Sequence, residues 1–390
     1  MSNKLNHHFV PQYHLRLFTN GERFVHLASR DGQRWIRQAS IKGQCARHKY
    51  YGTEEVEDWL GALEADHATA YRQAISVAWD ETAKPLPAEQ DFALREACLL
   101  QRARTPRSAR TLAAVMDQML LHTYREHLNA QPDSPERARQ LAAIRDGRAT
   151  IRDSEHAALM MSLTIAPRAV LIISDLSLVI LRNRTTTPFV LGDSPCVFSN
   201  HYMREIKDLG VLGFVTPGLQ IVLPLDHRTS LLLYDPAVYH LKQAAALCQE
   251  ITSVADIANL NALQIHAAEQ NVYFSDATVE PSLRELLTAQ RPLLKADQGR
   301  LLVHSGDDVQ FEGREKPSGE LIHTFEDQLP VTLDLSILTT DPFAHHKRLN
   351  QPRNQELARR GQAALGAPDE TSPLSMDVLA RWIQQRIVVQ

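Results

Sequence analysis

"ERFVHLASRDGQRWIRQAS" (residues 22–40) and then "HKYYGTEEVEDWLGALEADHATAYRQAISVAW" (residues 48–79) hold the change of hydrophobic period on which the fold turns. In the first stretch Phe24 and His26 alternate with Val25 and Leu27, the chain reaches Asp31-Gly32, and the pattern resumes at Trp35 and Ile36. Successive strand side chains point to opposite faces, and Asp-Gly suits a tight turn, so this stretch predicts a β-hairpin. In the second, Val56, Leu60, Leu63 and Ala70 share one face at helical spacing, acidic residues fill the first turn, and Thr53 stands at the N-cap. That predicts a helix.

Outward from this pair, "DETAKPLPAEQ" (80–90) reads as a loop. Helical patterning runs from Asp91 to about Leu128, broken at Pro106, and a further helix is predicted through residues 136–165. Strand-like runs follow in "DLSLVILRN" (175–183), "PFVLGDSPCVF" (188–198) and "LQIVLPLDHRTSLLLYD" (219–235). "ITSVADIANLNALQIHAAEQN" (251–271) is helix-like, "VYFSD" (272–276) a short strand, and "SMDVLARWIQQRIV" (375–388) a helix in the tail. Helices and strands in separate blocks predict an α+β fold rather than alternating βαβ units. Its parts are an N-terminal β-hairpin segment, a central helical block, later antiparallel-type strands and a helical C-terminal tail. The corresponding divisions are 1–52 (a basic, His-rich β segment of the main domain), 53–170 (helical), 171–300 (strand-rich, completing the main domain) and 301–390 (a C-terminal extension).

Composition excludes several classes. With 44% hydrophobic and 23% charged residues in 390, the chain is globular in type and long enough for a sizeable core. No apolar run reaches membrane-spanning length, and "MSNKLNHHF" lacks a signal-peptide core. Cys45, Cys98, Cys196 and Cys248 form no CxxC pair, so a reducing, cytoplasmic setting is expected. Neither GxGxxG nor GxxxxGK[ST] is present, nor HExxH nor GxSxG, which removes Rossmann and P-loop phosphate cradles, zincins and α/β-hydrolases. Charge is uneven. Residues 1–52 carry nine Lys and Arg against Glu22 and Asp31, a net of +7 in a chain of −4, together with five histidines. Such a head suits either an anionic ligand such as nucleic acid or docking on its own acidic body.

Three motifs carry candidate chemistry. In "NHHFVPQYHLRLF" (6–18), adjacent His7 and His8 face opposite ways on an extended chain, and Pro11 biases Val10 to extended geometry. If the strand resumes, Gln12, His14 and Arg16 share a face. An imidazole here could act as general base or metal ligand, or be a hydrogen-bonded core-edge group. "LLQRARTPRSAR" (99–110) has four arginines and no acid. Gln101 and Arg104 lie one helical turn apart, and Thr105-Pro106 forms an N-cap and N1 pair. Arg107 and Arg110 beside that helix start make an anion site or a solvated basic face. In "VLGDSPCVF" (190–198), Asp193 at a strand end is either a ligand or orienting carboxylate or the pivot of an Asx-turn. Glu64 and His67 form an ExxH pair, read as a salt-bridged surface pair, and "PFAHHKR" (His345, His346) is read as exposed.

Together these motifs resemble the bacterial proteins grouped as domain of unknown function 4238. The opening pattern of that family falls on His8, Val10, Pro11, Leu15 and Phe18, its arginine motif on Gln101, Arg104, Thr105 and Pro106, and its aspartate motif on Asp193 and Pro195. "VLPL" (222–225) and Asn261 fit as well, and the likeness spans about residues 6–280. The family's biochemistry is not established. The resemblance implies a role in anti-phage defence, since similar proteins occur among defence genes on mobile elements.

Two functions follow as expectations. In the first, a defence effector hydrolyses phosphodiester bonds in nucleic acid or nucleotides, as a nuclease-type hydrolase. His8 is base or metal ligand, Arg104 the transition-state clamp and Asp193 the ligand or orienter, while Gln12, Gln101 and Arg107 position substrate. A divalent metal is the cofactor this set would take, through His8 and Asp193. In the second, the protein is a non-catalytic binding or sensor protein, its partner a phage component. There the motifs form a clasp in which His8 and Gln12 pin the N-terminal strand and Arg104 pairs with Asp193. An open cleft with unpaired polar atoms favours the first and a sealed ion pair the second.

Overall fold

The computed structural model describes residues 6–19, 23–151, 153–206, 210–243, 247–295, 299–305, 320–341, 351–366 and 387–389. The largest sheet has five strands in the spatial order Cys248–Ile251, Ser177–Asn183, Thr229–Tyr234, Gln220–Pro224 and Val197–Ser199. All neighbours run antiparallel except Cys248–Ile251, which is parallel to Ser177–Asn183. The Val/Ile/Leu runs in these strands leave no polar face, and both faces are covered. Ile180, Ile221, Leu223, Leu231 and Leu233 join the core under the long helices, whereas Val179, Leu181, Val222 and Leu232 pack with Ile257, Leu260 and Leu263 of the helix Val254–Ala267. Slipping a strand by one residue would exchange the two sets, so burial on both sides pins the register.

The helical block comprises Glu54–Trp79, Ala88–Ala103, Pro106–Asn129, Pro135–Arg145 and Ser154–Ile165. The first begins after Thr53 with Glu54, Glu55 and Glu57 in its opening turn, where carboxylates meet the positive end of the helix dipole. Val56, Leu60, His67, Ala70, Tyr71, Ala74 and Ala78 are its buried face. The break expected at Pro106 is present: Thr105 Oγ1 accepts from Ser108 N (3.3 Å), and Pro106 occupies the first turn. The single helix expected over 136–165 is not. Gly147 takes a positive φ of 70°, Ala149–Ile151 is extended, and Asp153 (φ 55°) restarts the chain into Ser154–Ile165.

The predicted hairpin is Phe24–Ser29 with Trp35–Ser40, and Gly32 at its turn has φ +72°. It belongs to a second antiparallel sheet, in the order Trp35–Ser40, Phe24–Ser29, Asn271–Phe274, Leu191–Gly192. The head and the strand-rich block thus share one sheet. The extreme N-terminus departs from expectation. Asn6–His8 pairs antiparallel with Ala46–His48, but no strand resumes after Pro11; Gln12–Arg16 is a short helix, so Gln12, His14 and Arg16 share no strand face. Pro11 (φ −58°, ψ 145°) stands at the N-cap, where a missing N–H costs nothing.

Beyond residue 300, Gly299–Ser305 pairs with Glu320–Glu326, and the helix Gln355–Gly366 packs on Arg168–Ile173. Arg353 anchors this region. Its guanidinium bonds Asp175 at 2.8 and 2.9 Å and donates to the carbonyls of Thr216 (3.0 Å) and Phe214 (3.1 Å). Of the tail helix expected over 375–388, residues 375–386 lie outside the described residues, and Ile387–Val389 instead pairs as a strand with Ala149–Ile151. His345 and His346 also lie outside them. Among the described residues no helix is long and apolar enough to cross a membrane.

Candidate functional site

Val10, Leu15 and Phe18 are fully buried and seat the N-terminal segment in the core. His14 is sealed in with them, bonded through Nε2 to the Pro224 carbonyl at 2.7 Å, and burial pushes its pKa down to about 4. The imidazole is therefore neutral and donates to that carbonyl.

Past His8 the short N-terminal strand ends, and the carbonyls there need donors from elsewhere. The helix Ala88–Ala103 and the residue after it supply them. Gln101 Nε2 donates to the Phe9 carbonyl at 2.9 Å, and Arg104 Nη2 donates to the His8 carbonyl at 2.7 Å. The three-residue spacing that suggested a common helical face thus serves two consecutive carbonyls. Arg104 also donates through Nε to Tyr51 Oη (2.9 Å) and pairs through Nη2 with Glu64 Oε1 (2.7 Å), while Tyr51 Oη donates to the His8 carbonyl (2.9 Å). Burial works against the charge on Arg104, but Tyr51 and Glu64 outweigh it and hold the guanidinium protonated. His7 closes the group: its Nδ1 accepts from Tyr51 N at 3.1 Å, and its ring stacks on Tyr51.

Asp193 sits apart from that hub. Its Oδ1 accepts from Glu269 N (2.6 Å) and its Oδ2 from Gln270 N (2.9 Å) and Asn271 N (3.0 Å). It thereby fixes the turn between the helix Val254–Ala267 and the strand Asn271–Phe274. Burial raises its pKa to about 6, and the three N–H donors oppose that rise, so it is ionised at neutral pH. The neighbouring chain is held from the same helix. Asn261 accepts from Val190 N (3.0 Å) and donates to the Pro188 carbonyl (3.0 Å), and Gln264 accepts from Gly192 N (3.0 Å) and donates to the Pro195 carbonyl (2.9 Å). The second and third motifs touch where Ser194 Oγ donates to Thr105 Oγ1 (3.3 Å) and where Arg107 donates to the His266 carbonyl at the end of that helix (2.5 Å).

The structure therefore unites His8, Gln101 and Arg104 and links Asp193 to Thr105 and Arg107 through neighbours. Arg104 pairs with Glu64, not with Asp193 as the clasp reading expected. The Glu64/His67 surface pair is also corrected: His67 is buried and bonds Glu96 at 3.0 Å. Gln12 accepts from Arg16 (3.1 Å). Four arginines of the basic head bond residues of the chain beyond it. Arg30 donates to the His266 and Lys295 carbonyls, Arg34 to Asn271, Arg37 to Glu280 and Arg47 to Glu269. Tyr51 and Gln264 were missed from sequence. Gln264, three residues after Asn261 on an otherwise apolar face, is a legible signal in hindsight; Tyr51 leaves none.

One motif group retains unused capacity. His8 is half-buried, its Nε2 has no partner, and burial lowers its pKa below 6.5 although Glu64 and a backbone bond with Lys42 oppose this. Beside the hub, between Tyr13, Leu60, Glu64, His67 and Arg104, is a cavity of about 10 Å³, room for one water. Among the described residues no group of three or more His, Cys, Asp or Glu is placed to hold a metal.

Comparison with protein-family models matches residues 6–278 to the family described as "Protein of unknown function (DUF4238)". Every motif residue from His8 to Asn261 falls within that span. No curated protein and no solved structure gives a match.

Proposed function

The chain belongs to the DUF4238 family, and from that premise we propose that its motif residues are a clasp within a non-catalytic binding or sensor protein of anti-phage defence. The observation that carries this reading is the buried guanidinium of Arg104, divided among Tyr51, the His8 carbonyl and Glu64. A phosphate clamp must present donors to a ligand, whereas these donors fasten one part of the chain to another. Asp193 supports the same reading, since both its oxygens accept from backbone N–H groups of the turn it fixes. The test compares Arg104→Lys and Asp193→Asn for thermal unfolding and for protection of cells against phage. Protection should fall in step with stability. A variant that keeps its full unfolding temperature and loses protection would sink the clasp.

A second reading keeps phosphodiester hydrolysis, and the unpartnered Nε2 of His8 favours it. A half-buried, neutral imidazole with one open nitrogen suits a general base, and Arg104 would then position His8 rather than touch substrate. Purified protein incubated with DNA, RNA and nucleotides, with and without Mg²⁺, Mn²⁺ or Zn²⁺, decides between the two. Cleavage abolished by His8→Ala, with activity declining only below pH 6.5, establishes the hydrolase; inert protein under every condition removes it.

A further inference from the structure

A cavity of about 300 Å³ lies between the helices Ala88–Ala103, Pro106–Asn129 and Ser154–Ile165 and the strand Glu320–Glu326. That is the lower end of the roughly 300–1,000 Å³ typical of small-molecule sites. Its walls are chiefly hydrocarbon, from Leu112, Val115, Ile165 and Phe325 among others. Among the described residues the charged groups of its lining, Arg102 and Glu326, are paired with each other, and the Arg102 guanidinium also lies 4.3 Å over the Phe198 ring. An anion entering here would have to take Arg102 from a partner it already has.

Thr111 is the polar group that stands out. It is 7% exposed, lines the cavity, and its Oγ1 is buried without a hydrogen-bond partner. Buried hydroxyls are ordinarily bonded, and Thr within a helix can usually reach a carbonyl of the preceding turn. The Thr111 Oγ1 is free to bond a ligand oxygen or hydroxyl once χ1 turns to another staggered position. We propose that this cavity binds a small, neutral, largely hydrocarbon molecule with one hydrogen-bonding oxygen, and that the Thr111 hydroxyl is its polar anchor. The site is separate from the motif hub and independent of either function above.

Titration of the full chain with the neutral fluorophore N-phenyl-1-naphthylamine, and competition with decan-1-ol or decanoate, tests this. Saturable displacement by decan-1-ol is expected, with decanoate weaker. Thr111→Val, nearly the same shape, should weaken decan-1-ol about tenfold, equivalent to about 1.4 kcal/mol, and leave the fluorophore unchanged. Leu112→Trp, filling the cavity from a partly exposed position, should abolish both. Circular dichroism confirms that each variant is folded. Absence of saturable binding, or displacement indifferent to both substitutions, overturns the site. Decanoate outcompeting decan-1-ol, with its advantage lost in Arg102→Gln, overturns the neutral ligand class.

Discussion

Arg104 makes three polar connections with one guanidinium, and removing it would leave the Glu64 carboxylate without its cation and the His8 carbonyl and Tyr51 Oη with their bond to each other in place of Arg104. Breaking one side of a buried ion pair is far costlier than the pair's net contribution, because the remaining charge stays desolvated. We expect Arg104→Ala to lose about 3 kcal/mol, and Arg104→Lys less, since a single ammonium keeps the charge but cannot span three partners. Urea unfolding measures both; equal stability of Arg104→Ala and wild type would refute the hub. His14 sets an acid limit. Its folded pKa of about 4 lies below the ordinary 6.5, so between those values the unfolded chain binds a proton that the native protein refuses. Stability is complete above pH 6.5 and declines as pH falls toward 4. Between pH 7 and 5 the wild type should lose about 2 kcal/mol more than His14→Gln, which can still donate to Pro224. Parallel pH dependence of the two proteins would contradict this.

The helix beginning at Pro106 is the element through which the motifs communicate. Thr105 Oγ1 caps it, donates to the Arg102 carbonyl at 3.0 Å and receives Ser194 Oγ. Thr105→Ala removes all three bonds. The cap alone is worth about 1 kcal/mol, so we expect a larger loss, with amide exchange rising in Pro106–Asn129 and also around Ser194; a change confined to the helix would show that the link to Ser194 carries no energy. The cap and the break were readable in advance because Thr-Pro imposes its geometry locally. The interruption at Asp146-Gly147 bears the same turn signal as Asp31-Gly32, but the strand after it leaves no local signal, because only pairing with distant Ile387–Val389 makes Ala149–Ile151 a strand. The short helix after Pro11 escaped for a related reason: five residues are too few for a periodic signal.

At the scale of the molecule, the buried Arg353 ties the chain beyond residue 300 to the carbonyls of Phe214 and Thr216 and to Asp175. Arg353→Ala should make Gln355–Gly366 susceptible to limited proteolysis while the core sheet, buried on both faces, keeps its unfolding midpoint within about 1 kcal/mol. Cleavage at the wild-type rate would show that the helix is held by its packing on Arg168–Ile173 alone. The basic head bears on the same scale. Its +7 charge suits nucleic acid or self-docking equally well as composition, and Arg30, Arg34, Arg37 and Arg47 each meet a partner on the later strand-rich and helical segments.

Sequence by itself determined what depends on neighbours along the chain: the α+β class from the change of hydrophobic period, the Asp31-Gly32 hairpin, the Thr105-Pro106 helix start, and the motif residues that mark the family. Only the tertiary structure decided whom those residues meet. Gln101 and Arg104 could hold phosphate or carbonyl oxygens equally well by chemistry, and Asp193 could hold a metal or backbone N–H groups. A donor's partner is set by distance in space, and residues 8, 51, 64 and 104 are brought within hydrogen-bonding reach by the core packed beneath them, which no local pattern encodes.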